Sequence, residues 1–163
     1  MPTYECRAPA GLLDAARRAR IAAAVTRIHR QVTGASAYFA QVIFTEVADG
    51  AWFLGGTPLV GPHLFLHGHI RAGRSAGDRM RLIRRLVAAL AEGASLPPRS
   101  VWVYVTELPP RAMAEYGHTL PEPGDEAAWF AALPPEDQAH LRALGAGDAG
   151  DAGDDGAGPG TAN

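Results

Sequence analysis

The feature that most restricts the fold of this chain is a β-α-β pattern that occurs twice in succession. Residues 3–7 read as a short strand. From Asp14 the apolar positions Ile21, Val25, Ile28 and Val32 recur at steps of four, three and four, which places them on one helix face, and Gly34 stands where that helix can end. The β-branched and aromatic run from Tyr38 to Glu46 predicts a strand with Val42 and Phe44 on one side and Ile43 and Thr45 on the other. After the turn-rich stretches Gly55-Gly56-Thr57-Pro58 and Gly61-Pro62 the pattern returns. A strand runs through His63 to Ile70, a helix carries Ile83, Leu86, Val87 and Leu90 to a stop at Gly93, and a strand runs through Val101 to Thr106. Parallel strands joined by a crossover helix pack that helix on one side of their sheet. Two such units predict an α/β layer of four strands with both helices on the same face.

The chain has 163 residues, of which 47% are hydrophobic, enough for one core and not calling for a second. We expect a single domain over residues 2–144. Within it, the segment after Pro109 forms an arm, with a helical stretch from about Glu126 to Leu144 interrupted at Pro134-Pro135. Residues 145–163 are almost wholly Gly, Ala and Asp and are expected to be a disordered tail, because they cannot bury enough apolar surface to offset their ordering entropy. With 15 basic and 17 acidic residues the formal charge is −2, which gives no general attraction to nucleic acid or to an acidic membrane as partner. The single cysteine, Cys6, cannot form an internal disulfide, and no long apolar run follows a basic start, so the expected address is cytoplasmic.

Chemistry begins at the start. Met1-Pro2 permits removal of the initiator methionine, which leaves a proline secondary amine at the terminus. An α-amino group titrates near about 7.7 to 8.0, so its neighbours decide whether it acts as acid or base. Many chains begin Met-Pro without using it, so the surroundings carry the argument. Arg71-Ala72-Gly73-Arg74 follows the third strand, where open α/β sheets bind ligands, and two guanidinium groups three residues apart can converge on one carboxylate. His29 lies at the rim of the first helix's apolar stripe, Tyr104 in the last strand, and Glu115 in the segment beyond it. Each alone reads equally well as a solvated or packed side chain. His63, His67 and His69 alternate along the third strand as zinc ligands can, but no cysteine or nearby acid completes a set, so no metal is expected and packing or subunit contact is the favoured role.

Taken together, Pro2, His29, the pair in Arg71-Ala72-Gly73-Arg74-Ser75-Ala76, Tyr104 in Val101-Trp102-Val103-Tyr104, and Glu115 in Glu115-Tyr116-Gly117 resemble the cis-3-chloroacrylic acid dehalogenase group of the tautomerase superfamily. The resemblance covers roughly residues 2–133. It extends to Ala40-Gln41-Val42, Phe53-Leu54-Gly55-Gly56, and Pro123-Gly124 followed by Trp129-Phe130. It implies a homotrimer of β-α-β-β-α-β protomers that needs no cofactor and acts on a small unsaturated carboxylic acid. It further implies that Arg71, Arg74 and His29 bind the substrate carboxylate, that Tyr104 and Glu115 activate water, and that protonated Pro2 delivers a proton to C2. Glu115 is expected to raise the proline pKa by more than the arginines lower it. The same residues also serve hydratases of acetylenic or allenic acids, and a neutral Pro2 would serve a phenylpyruvate-type keto-enol tautomerase. A non-enzymatic binding protein is the remaining alternative.

Overall fold

The computed structural model describes residues 2–35 and 40–146. Strand β1 (Thr3–Pro9) leads to helix α1 (Ala15–Thr33) and strand β2 (Gln41–Val47). A small hairpin, β3 (Phe53–Leu54) with β4 (Thr57–Pro58), precedes β5 (Leu64–Arg71), α2 (Ala76–Ala94) and β6 (Val101–Leu108). A second small hairpin, β7 (Ala114–Glu115) with β8 (His118–Thr119), then leads into α3 (Glu126–Ala132) and α4 (Pro135–Ala146). The main sheet has the order β2-β1-β5-β6. Its outer pairs, β1 with β2 and β5 with β6, are parallel, and its central pair β1 with β5 is antiparallel. The fold is therefore the expected four-stranded α/β layer, two β-α-β units joined edge to edge.

Local signals explain the helix boundaries. The Asp14 carboxylate caps α1 by accepting from the Arg17 N–H at 2.7 Å, and Gly34 closes it at φ 72°, where the lack of a Cβ removes the steric cost. Ser75 caps α2 by accepting from the Asp78 N–H at 3.0 Å. The expected stop at Gly93 is not one: α2 runs on to Ala94 and closes at Ser95 in the left-handed region. Gly93 instead lets the helices approach, since a Cβ there would lie 2.8 Å from Ile21 Cγ1. The buried stripe of α2 is Leu82, Leu86, Leu90, Ala91 and Ala94, one position round from the expected one, with Val87 packed at its edge. Strand β2 begins at Gln41; Tyr38 and Phe39, where a start was expected, lie outside the described residues, as do residues 147–163 of the expected tail.

Both helices cover the sheet face formed by Tyr4, Cys6, Ala8, Leu64, Leu66 and Ile70, making one core in which a fully buried leucine contributes about 1.5–3 kcal/mol. Alternation sends Phe65, His67, His69, Trp102 and Tyr104 to the other face, which no helix among the described residues covers; Ile43, Trp102 and Tyr104 stand exposed there. The arm adds Leu120, Leu133 and Leu141 to the buried set.

Candidate active site

The sheet register decides what can meet. Thr3 pairs with His69 across the antiparallel centre, so Pro2, one residue earlier, stands beside the carboxyl end of β5, where Arg71 lies. Because β6 is parallel to β5, with Leu108 opposite Arg71, the segment after β6 leaves from the same end. Helix α1 returns along β1, which brings its last turns there too. Pro2, the Arg71–Arg74 turn, Glu115 and His29 thus share one end of the layer.

Pro2 is fully buried, and its carbonyl accepts from the Gln41 N–H at 3.0 Å. Glu115 ends β7, and its direction is fixed by a two-residue turn in which Tyr116 (φ 53°) and Gly117 (φ 84°) both take left-handed backbone, as tight hairpins require. Burial is the main cause that raises the Glu115 pKa.

His29 lies inside the buried stripe of α1 rather than at its rim. Its Nδ1 shares a 2.8 Å hydrogen bond with the hydroxyl of Tyr4, a buried residue of β1 that the sequence did not single out. Burial first, then Arg74 and the amino terminus, lower the His29 pKa to about 3, so the ring is neutral. With Tyr4 donating, the proton rests on Nε2 and the imidazole offers a hydrogen bond rather than a charge. Tyr4 occupies this position because its partner across the strands is Gly68: a Cβ there would lie 2.4 Å from Tyr4 Cε1.

Arg71 and Arg74 are near enough to lower the pKa of Arg74, after burial, by mutual repulsion. Arg74 Nη1 donates to Thr33 O at 2.8 Å, the carbonyl end of α1, where the helix dipole favours a cation. Arg71 Nη1 donates to Pro121 O at 2.9 Å and Nη2 to Glu126, a partner not anticipated. The signal for it was the acidic residue that follows the Pro123-Gly124 turn.

Tyr104 is not brought to this cluster. It projects from the open face of β6, 54% exposed, opposite His67 and beside Phe65 and Trp102. His67 shares a 2.8 Å hydrogen bond with Thr106, and His63 is buried between Trp52 and Trp102. Among the described residues no three His, Cys, Asp or Glu side chains gather as a metal site would need, and no helix is long and apolar enough to cross a membrane.

Residues 1–132 match the Tautomerase_3 family, described as "Putative oxalocrotonate tautomerase enzyme". The crystal structure of N1, a member of the cis-3-chloroacrylic acid dehalogenase (cis-CaaD) family, is similar at 42% identity with a TM-score of 0.83, covering 86% of this chain and 99% of that one. Native Ps01740 is 30% identical, TM-score 0.65, over 69% of this chain and 99% of its own. The F6 fused 4-OT, an asymmetric trimer, is 25% identical, TM-score 0.64, over 72% of this chain and 94% of its own. Among proteins of curated function, none matches. The shared fold, the whole-domain family match and the residues gathered at one end of the sheet lead to one conclusion: the chain belongs to the tautomerase superfamily, in its cis-3-chloroacrylic acid dehalogenase group.

Proposed function

We propose that this chain, once Met1 is removed, is a cofactor-independent hydrolytic dehalogenase that adds water to cis-3-haloacrylates with Pro2 as general acid. The observation that supports this reading is that Pro2 and the Arg71–Arg74 turn lie at the same end of the sheet, with His29 within electrostatic reach of Arg74. Arg71, Arg74 and neutral His29 bind the substrate carboxylate, and the charge that develops there as water attacks C3 is stabilised by the two guanidinium groups. Glu115 takes the proton from the attacking water, which Tyr104 helps to activate by hydrogen bonding; Pro2 gives its ammonium proton to C2. The resulting 3-halo-3-hydroxypropanoate loses halide from C3 and a proton from its hydroxyl, giving malonate semialdehyde.

Tyr104 can join this chemistry only from another protomer, since within its own it stands opposite His67, four residues along the strand from Arg71. We therefore propose a homotrimer in which the open faces meet, with the exposed hydrophobic side chains Ile43, Trp102 and Tyr104 covered by neighbours. The proposed place of action is the cytoplasm.

The test is chloride release from cis- and trans-3-chloroacrylate by the methionine-processed protein and its Pro2→Ala, Arg71→Ala and Glu115→Gln variants. Release from the cis isomer, lost in all three, supports the assignment. A second reading is favoured by one observation: the cationic Arg71–Arg74 turn at the same end of the sheet disfavours an ammonium ion at Pro2. A neutral Pro2 would instead carry protons between carbon and oxygen in a keto-enol tautomerase. A wild-type protein that releases no chloride but ketonises phenylpyruvate enol, with a terminal amine titrating well below 7, establishes that reading. Hydration of acetylenic or allenic acids without dehalogenation identifies the hydratase alternative.

A further inference from the structure

The arm touches the arginine turn at three points. Pro121 O and the Glu126 carboxylate accept from Arg71, and Pro123 packs on Gly73, where a Cβ would meet Pro123 Cγ at 2.9 Å and the φ of +109° already calls for glycine. The Arg71 side chain is only 11% exposed, whereas Glu126 is 50% exposed. The other Glu126 oxygen accepts from the Gly124 N–H at 2.9 Å, so the carboxylate is anchored by backbone as well as by guanidinium. That hydrogen bond to Arg71 is the main reason the Glu126 pKa lies below its ordinary value, which keeps the group ionised at neutral pH.

The neighbouring charges are already paired. Glu107 is held by Arg79 at 2.9 Å and Asp78 by Arg81 at 2.8 Å. Arg74 donates to a neutral carbonyl and, among the described residues, makes no ion pair with a carboxylate. The turn therefore holds two guanidinium groups, one ion-paired with Glu126 and one that Glu126, Asp78 and Glu107 attract without pairing. Of these carboxylates Glu126 acts most strongly on Arg74, so it lowers the positive charge presented by both arginines.

We propose that Glu126 is a specificity-determining residue, which sets the charge of the Arg71–Arg74 turn so that the site accepts monocarboxylates and rejects dicarboxylates. This rests on the reading of that turn as the carboxylate site and adds which acids it selects. One carboxylate balances Arg74 and shares the remaining donors of Arg71, which has five N–H groups and directs two bonds to the arm. A second carboxylate on the same small acid meets the negative charge of Glu126, which stays ionised at neutral pH.

The experiment is calorimetric binding of acrylate and of maleate, the latter at a pH where it is fully dianionic, to the methionine-processed full chain and its Glu126→Gln and Glu126→Ala variants. Circular dichroism confirms that each variant is folded. Maleate carries its second carboxylate where a cis-3-haloacrylate carries halogen, and neither acid contains a halogen to be lost. Wild type is expected to prefer acrylate. Glu126→Gln, which keeps an acceptor for Arg71 and removes the charge, is expected to tighten maleate by about tenfold or more while changing acrylate by less than about threefold. An acrylate-to-maleate ratio unchanged in both variants overturns the proposal and leaves the carboxylate site standing. Equal weakening of both acids also overturns it, because Glu126 would then only hold Arg71 in place. No binding of either acid to wild type overturns this proposal and the carboxylate site together.

Discussion

Replacing Gly68 with alanine puts a methyl carbon 2.4 Å from Tyr4 Cε1 and 2.8 Å from Cδ1. Ordinary contact between carbon atoms lies near about 3.5–4.0 Å, so the ring must move by about 1 Å or more. It has nowhere to go: Tyr4 is fully buried under α1, and its hydroxyl is tied to His29 Nδ1 at 2.8 Å. Overpacking in such a core costs about 1–3 kcal/mol. If the ring swings away, the buried hydrogen bond is lost and both partners are left unsatisfied, at about 1–3 kcal/mol. Removing a strand glycine returns about 0.5–1 kcal/mol. The expected net loss is about 1–5 kcal/mol, read as a lower urea midpoint with an unchanged m value at fixed protein concentration. Tyr4→Phe, which deletes only the hydroxyl, is expected to cost less than Gly68→Ala. A Gly68→Ala protein as stable as wild type would show that the Tyr4–Gly68 contact does not hold His29 in place.

Three further outcomes are expected. His29 has a pKa near 3 when folded against about 6.5 when unfolded, so between those values the unfolded state binds more protons; stability is complete above about pH 6.5 and is lost as pH falls toward 3, at up to about 1.4 kcal/mol per pH unit. Glu115, whose pKa is raised, acts in the opposite sense, so the decisive comparison is with His29→Gln, whose unfolding free energy should fall less between pH 7 and 5. Asp14→Ala and Ser75→Ala each remove an N-cap bond and should lower stability by about 1 kcal/mol in chemical denaturation, without altering the active site. If Tyr104 serves a neighbour's site, refolding Tyr104→Phe and Glu115→Gln proteins together should recover chloride release that neither shows alone; no recovery would place the tyrosine outside the chemistry.

What could be read in the sequence follows the range of the signals. Helix faces and strand alternation repeat over a few residues, so α1, with its Asp14 and Gly34 boundaries, and the β-α-β duplication were legible. Gly93 was not, because a glycine that ends a helix and one that admits a neighbouring helix look alike until Ile21 is placed against it. The motif residues were legible as types, and the register explains why Pro2, His29, Arg71, Arg74 and Glu115 meet. Tyr4 and Glu126 were missed because each acts through a partner 25 and 55 residues away, respectively. The separate position of Tyr104 depends on the register that sets it opposite His67, a property of the packed layer rather than of any local pattern.

The antiparallel pairing of β1 with β5 gives the protomer an approximate internal twofold, which carries the start of β1 onto the start of β5. Pro2 then falls on Leu64, and the turn Arg71–Arg74 falls on Pro9–Leu12, with Ala72-Gly73 on Ala10-Gly11. At that second end of the layer the counterpart of Pro2 is Leu64, an internal residue buried in the core, and the counterparts of the two arginines are Pro9 and Leu12, the latter packed against that core. A doubled architecture therefore holds an undoubled chemistry. Only one end can offer an amine, because a polypeptide has one beginning, and the opposite end has been left to packing alone.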